Sequence, residues 1–308
     1  MAQGEKKGFI ARMLEGKERD ENYARSTLPT GRWSLFWDIF KGRFSKLVIV
    51  NLLIIVFCIP LVAVSFLRYM MVVGQGTMLP ANMTGIAWPA MSDIAGLEQQ
   101  MILSTDLLWG ALMVAAGLIA AVGISGGIYV IRNLVWTEGI FVANDFWRGI
   151  KINIVNVLQS TLFYGVFLYL FTISIDAASV VIATGSGNET LLVISQAICY
   201  IAIVLLTMVY LWMLSMSASY KLKFFRLLKN SLLMTFGMIF HNIFFVVLMA
   251  IPVILILLGS FFAMIGYIIL ILFGISYMLL VWFDYSQWVF DKYFESKREG
   301  GKVNRGIY

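Results

Sequence analysis

Ala143 to Leu158 reads A-N-D-F-W-R-G-I-K-I-N-I-V-N-V-L, and the placement of this stretch decides the fold. In the first half of the chain it is the only charged, aromatic segment of any length between two long apolar runs. Asp145, Arg148 and Lys151 are too polar for hydrocarbon, whereas Phe146 and Trp147 are residue types that favour the membrane–water boundary. The stretch reads as an elbow that lies on the inner membrane face and then turns up into a transmembrane helix. Asp38-Ile39-Phe40-Lys41-Gly42 matches Asp145-Phe146-Trp147-Arg148-Gly149 in residue type, position by position. A looser copy, Phe224-Phe225-Arg226, precedes a later apolar run. Each opens a pair of helices. The match is only a few residues long, and any inner-face helix start collects aromatics beside a basic residue. It is therefore weaker as an internal repeat than as a recurring kind of helix start.

Composition agrees with that setting. The 308 residues are 60% hydrophobic and 13% charged, about half the ~25% charge of a soluble domain. The apolar runs are continuous, without the dyad alternation of an outer-membrane barrel. The expected class is all-α: a polytopic membrane protein with six transmembrane helices in three helical hairpins, plus amphipathic interfacial helices. The net charge of +6 would suit nucleic acid, but the basic residues flank the apolar runs. Their partner is expected to be the anionic inner leaflet, not nucleic acid. Cys58 and Cys199 both lie in apolar runs and form no metal or redox spacing.

The chain then divides as follows. Residues 1–30 form a cytoplasmic tail, with a short helix possible around Phe9 to Leu14. Trp33, Phe36, Trp37, Phe40 and Phe44 share one side of an interfacial helix. The first span is Leu47 to Leu67, and Pro60 is expected to kink or end it. Arg68 to Thr105 forms an outer cap, in which Ser92-Asp93 could start a short helix through Gln100. Asp106 to Val130 is the second span, and its Gly123 and Gly127 permit close helix packing. The third span runs from Val157 to about Ala183. Gly185 to Asn188 is an outer turn, and Leu191 to Met216 is the fourth span. Ser217 to Asn230 is cytoplasmic. Met238 to Leu258, kinked at Pro252, and Phe261 to Trp282 are the last two spans, joined at Gly259-Ser260. The six-helix domain covers 31–285. Residues 286–308 form a cytoplasmic interfacial helix and a disordered basic tail. Every one of the 23 Lys and Arg residues except Arg68 falls on one side of this arrangement, which puts both termini in the cytoplasm.

Sites are sparse. Ionisable residues within spans are functional candidates by default, and here only Asp176 and His241 qualify. Asp176 is late enough in its span to be an interfacial carboxylate. A single histidine with no second ligand at helical spacing is not a metal site. Ser195, Thr207, Ser215 and Asn242 are expected to join helices. Asn82-Met83-Thr84 and Asn188-Glu189-Thr190 fit the glycosylation triplet, which is common by chance. No catalytic motif is present, so no catalytic residue, metal or cofactor is expected. The residues offered for partner binding are those of the elbows: Asp38, Phe40, Lys41, Asp145, Phe146, Trp147, Arg148, Lys151, Phe225 and Arg226. Gly123, Gly127, Pro60 and Pro252 are offered as shaping helix packing.

Several short phrases resemble the YesL-like family of bacterial membrane proteins, a family without a settled biochemical function. They are Asn51-Leu52-Leu53, Pro60 closing the first span, the glycines leading into Ile128-Tyr129-Val130-Ile131-Arg132, and Asp145-Phe146-Trp147-Arg148-Gly149 followed by Lys151 and Asn153. The resemblance covers residues 33 to 235. Members are usually shorter, with the proline close to the glycines; here Pro60 and Gly123 are far apart. The resemblance implies a bacterial plasma-membrane protein with an accessory role in carbohydrate uptake. Its partners would be transporter subunits or a second copy of itself. The competing expectation, drawn from the helix pairs and kinked spans, is a transporter or channel for a neutral or apolar solute.

Overall fold

The computed structural model describes residues 29–77, 95–297 and 303–307. The expected features around Phe9 and Ser92-Asp93 lie outside them. In order, the helices are α1 (Arg32–Gly42), α2 (Phe44–Thr77), α3 (Leu97–Val135), α4 (Val142–Ala183) and α5 (Glu189–Ser219). They are followed by α6 (Phe224–Gly237), α7 (Ile239–Met249), α8 (Ile251–Leu257), α9 (Ser260–Ile269) and α10 (Ile275–Tyr293). A π-helical turn, Leu270–Gly274, joins α9 to α10. No strand occurs among the described residues. The chain is an all-helical, polytopic membrane protein. Among the described residues, five stretches are long and apolar enough to cross a bilayer, within α2, α3, α4, α5 and the Phe261–Tyr293 run. A sixth is counted if α6 and α7, bent by 95° from each other, are one span. In hydrocarbon the backbone must satisfy its own polar groups, and such apolar runs can do so only as helix.

Three local devices repair the backbone where these helices break. At the bend after α6, Asn242 Nδ2 donates to the carbonyls of Met234 and Thr235, at 3.0 Å each. Its Oδ1 accepts from Trp212 Nε1 (3.2 Å) and the Tyr285 hydroxyl (2.8 Å). Pro252 has no N–H for the carbonyl four residues back. That carbonyl, on Leu248, accepts instead from the Tyr277 hydroxyl at 3.0 Å, and the helix breaks at Ala250 between α7 and α8. At the π turn, Asn51 Nδ2 donates to the Leu270 and Ile271 carbonyls (3.0 and 2.7 Å). Asn51 Oδ1 accepts from Ser276 N at 3.1 Å.

The structure corrects several expectations. The stretch from Ala143 to Leu158 does not lie flat and then turn. It is the opening of one continuous helix, α4, because nothing in it breaks the hydrogen-bond ladder. Pro60 does not end the first span, and α2 continues to Thr77. The outer connection is correspondingly shorter, since α3 starts at Leu97. The aromatic C-terminal segment is not a separate interfacial helix. It continues α10, and Tyr285 and Phe290 are fully buried in the core. The tail is not disordered throughout. Within residues 303–307, Arg305 stacks over the Trp136 ring at 4.2 Å and its carbonyl accepts from Arg32.

Packing is uneven along the bundle. The buried core collects at the end that holds the termini, where α10 touches α1, α2, α3, α5 and α7. Trp212, Trp282, Ile131, Leu134 and Leu35 are all fully buried there. Toward the other end, α2 and the first half of α5 present Val62, Phe66, Tyr69, Ile194 and Ile198 outward. In a bilayer that surface meets lipid, and the helices there have fewer partners.

A cavity between α2 and α5 with a charged end

Where packing thins, helices α2 to α5 leave a cavity of about 470 Å³. Glycines set its shape by deciding where α3 and α4 touch. A Cβ on Gly126 would stand 2.8 Å from the Phe146 carbonyl oxygen, and one on Gly149 would stand 2.5 Å from Tyr129 Cβ. The two helices are therefore in close contact at that level. Farther along, a Cβ on Gly110 would stand 2.6 Å from the Tyr169 ring. Between these contacts Gly117 has nothing within 4 Å of a Cβ position, and it lines the cavity. Along α3 the lining runs from Asp106 to Ile124, about 27 Å at the helical rise. That is close to the ~30 Å hydrocarbon thickness of a bilayer.

The walls offer ring faces and aliphatic groups, because the polar atoms on them are already engaged. Tyr210 and Thr161 hydroxyls are 3.0 Å apart, and those of Tyr164 and Thr207 3.3 Å apart. The Tyr169 hydroxyl donates to the Leu107 carbonyl at 2.8 Å. Tyr164 and Tyr210 stack with centroids 4.6 Å apart. Among the described residues only one end is charged. Arg68 Nε and Nη2 donate to Asp106 Oδ1 and Oδ2 at 2.5 and 2.6 Å, a two-pronged pair of the strong kind. Asp106 is buried. Asp176, one turn beyond the lining residue Thr172, feels both members of the pair. Its Oδ2 is buried and without a hydrogen-bond partner among the described residues. Sequence reading named Arg68 as the sole outer cation and Asp176 as an interfacial carboxylate, but did not connect them. The available signal was position: all three residues stand at the same ends of consecutive spans.

The elbow residues do not form one site. Phe146 is fully buried, and Gly149 is the contact point with α3. Asp145 is spent locally, its Oδ2 accepting from Phe141 N at 2.9 Å. Trp147 is exposed, as are Arg148 and Lys151, and Trp147 stacks edge-on against Phe57. Asp38 and Lys41 are exposed and Phe40 half-buried, with Lys41 over the Trp37 ring at 5.5 Å. Phe225 and Arg226 stand exposed at the start of α6. Gly123 faces Phe57 and Gly127 faces Ile54, each too close to admit a Cβ without a shift. His241 is exposed and stacks on Trp288 at 6.0 Å. Asn188 caps α5 by accepting from Leu191 N. Thr207 and Ser215 donate to carbonyls of their own helix, and Ser195 is exposed.

Sequence reading missed a second polar cluster, at the end with the termini. Arg32 pairs with Asp291, lies 3.9 Å from Asp284 and donates to the Arg305 carbonyl. Arg132 lies between the Tyr129 and Trp136 rings and donates to the Ala218 carbonyl at 2.5 Å. Trp136 donates to Gln287 at 2.7 Å. Tyr220 donates to Glu295 at 3.1 Å. Burial, and then the charge of that carboxylate, hold the Tyr220 phenol above its ordinary value. These bonds lock α1, α3, α5 and α10 together. Among the described residues no three His, Cys, Asp or Glu side chains gather as metal ligands. No protein-family model, curated protein or solved structure matches the chain.

Proposed function

We propose that the chain is a non-enzymatic plasma-membrane protein, with both termini cytoplasmic, that takes a neutral or apolar solute into the cavity between α2 and α5. One observation carries this reading: an apolar space about as long as a bilayer core is thick, with its wall polar groups satisfied. Such pockets, apolar with a few placed polar groups, are the usual form of small-molecule sites. The tight core at the other end favours a carrier or receptor over an open channel. The lone position of Arg68 among the cations supports the cytoplasmic placement of the termini. The test is saturable binding of radiolabelled apolar probes to the protein in nanodiscs of defined lipid. Binding that is lost when Gly117→Leu fills the cavity supports the proposal. The absence of saturable binding above empty nanodiscs overturns it.

A second reading is an accessory subunit for carbohydrate uptake. Its carbohydrate part rests on the YesL-like resemblance alone. What favours partner binding is the set of exposed aromatic and basic residues at the end with the termini: Trp33, Trp37, Phe141, Trp147, Phe225 and Arg226. These side chains would equally seat on anionic lipid headgroups. Purification in mild detergent separates the two. Co-purifying transporter subunits support the accessory role, and a monodisperse protein free of them argues against it.

A further inference from the structure

We propose that α6 binds one anionic phospholipid of the inner leaflet, with the lipid phosphate at Lys229 and an acyl chain along the apolar side chains beside it. The site is separate from the cavity between α2 and α5 and does not depend on it. Three observations carry it. First, α6 is placed to meet the leaflet surface. It follows Tyr220, which reaches Glu295 at the end that holds the termini, and it is bent by 95° from α7. A helix bent so far from a span lies along the membrane plane. Second, its apolar side faces outward. The side turned to the protein carries Leu227, Ser231 and Thr235, and both hydroxyls are engaged, on Met216 Sδ and on the Ser231 carbonyl. The outward side carries Phe225, Leu228, Leu232, Leu233 and Phe236 around a groove of about 630 Å³. Third, Lys229 stands within that groove, one helical turn from Phe225 and from Leu233. Its counter-charge is not in the chain nearby. The sequence has no Asp or Glu between Glu189 and Asp284. Among the described residues neither Lys229 nor the adjacent Lys221, Lys223 and Arg226 makes an ion pair. A ligand that is apolar along its length and anionic at one end meets both halves of the groove. An acidic peptide would meet the charge and leave the leucines and phenylalanines uncovered.

The experiment titrates the full-length protein in maltoside micelles with phosphatidylglycerol or phosphatidylcholine of identical chains and counts bound lipids by native mass spectrometry. The first phosphatidylglycerol should bind at least ~10-fold more tightly than the first phosphatidylcholine, the scale of one hydrogen bond to a charged group. Lys229→Gln should weaken phosphatidylglycerol about 5-fold, the contribution of one lysine at an anionic surface, and leave phosphatidylcholine unchanged. Leu232→Asn should weaken both lipids. Lys41→Gln, at an exposed lysine of α1, should change neither. Glycerol phosphate in large excess should not displace the lipid. Equal binding of the two lipids, or an equal loss in Lys41→Gln and Lys229→Gln, overturns the proposal. Displacement by glycerol phosphate also overturns it, because the ligand is then a free phosphate. None of these outcomes bears on the cavity reading, which is tested with apolar probes.

Discussion

At the residue scale, the glycines of α3 separate packing from space. Gly126 lies against the Phe146 backbone, so Gly126→Ala must push α4 away; overpacking of this kind costs about 1–3 kcal/mol. Gly117 has open space at its Cβ position, so Gly117→Ala should gain the helix propensity that glycine lacks, up to ~1 kcal/mol. Thermal unfolding in detergent should place Gly126→Ala below the parent and Gly117→Ala at or above it. Sequence reading recognised that small residues would let helices approach. It named Gly123 and Gly127, which lie against Phe57 and Ile54 of α2, but not the helix they would meet, because four-residue spacing fixes a face of a helix but not its partner. Gly149 is the clearest case. In sequence it looked like the end of an aromatic interfacial phrase, and in the fold it is the residue that lets Tyr129 in.

At the element scale, the breaks in the last helices depend on single side chains. Asn242 fills four hydrogen bonds at the bend between α6 and α7. Asn242→Leu strands two buried donors, Trp212 Nε1 and the Tyr285 hydroxyl, and takes a donor from the Met234 and Thr235 carbonyls; each buried orphan costs ~1–3 kcal/mol. The variant should lose its folded, monodisperse peak in size-exclusion chromatography, whereas Ser195→Ala, at an exposed site, should keep it. Asn51 serves the π turn in the same way. Asn51→Leu should lower the unfolding temperature markedly, while the neighbouring Leu52→Ala, on an outward face, should change it little. The break near Pro252 was legible because proline removes a donor at a known position. The straight run of α4 was not. Charge and aromatics mark where a helix meets the interface, but they do not make it bend. The burial of Tyr285 and Phe290 was hidden for a related reason, since a core aromatic and an interfacial aromatic have the same composition and differ only in what packs against them.

At the scale of the whole molecule, five of the six expected spans followed from hydropathy and the need to satisfy backbone groups in lipid; the expected span from Met238 to Leu258 is instead broken at Ala250, and a sixth is counted only if α6 and α7, bent by 95°, are one span. The uneven packing along the bundle did not follow from hydropathy, because it depends on contacts between spans. The latch formed by Arg32, Asp291 and Arg305 ties the two ends of the chain together. Arg32→Ala leaves buried carboxylates without their cation. Limited proteolysis should then cut within residues 303–307 faster than in the parent. Labelling of single cysteines at the exposed Lys221 and Glu189 positions should react from the cytoplasmic and outer sides respectively, and the reverse pattern would overturn the assigned orientation. The central claim is that the bundle is closed at one end and holds a long apolar solute at the other. A density map of the protein in lipid nanodiscs tests it most directly. The account predicts an elongated density beside Gly117 and Tyr164 that ends at the Arg68–Asp106 pair; helices α3 and α4 packed together along their whole length, with no space between them, would contradict it.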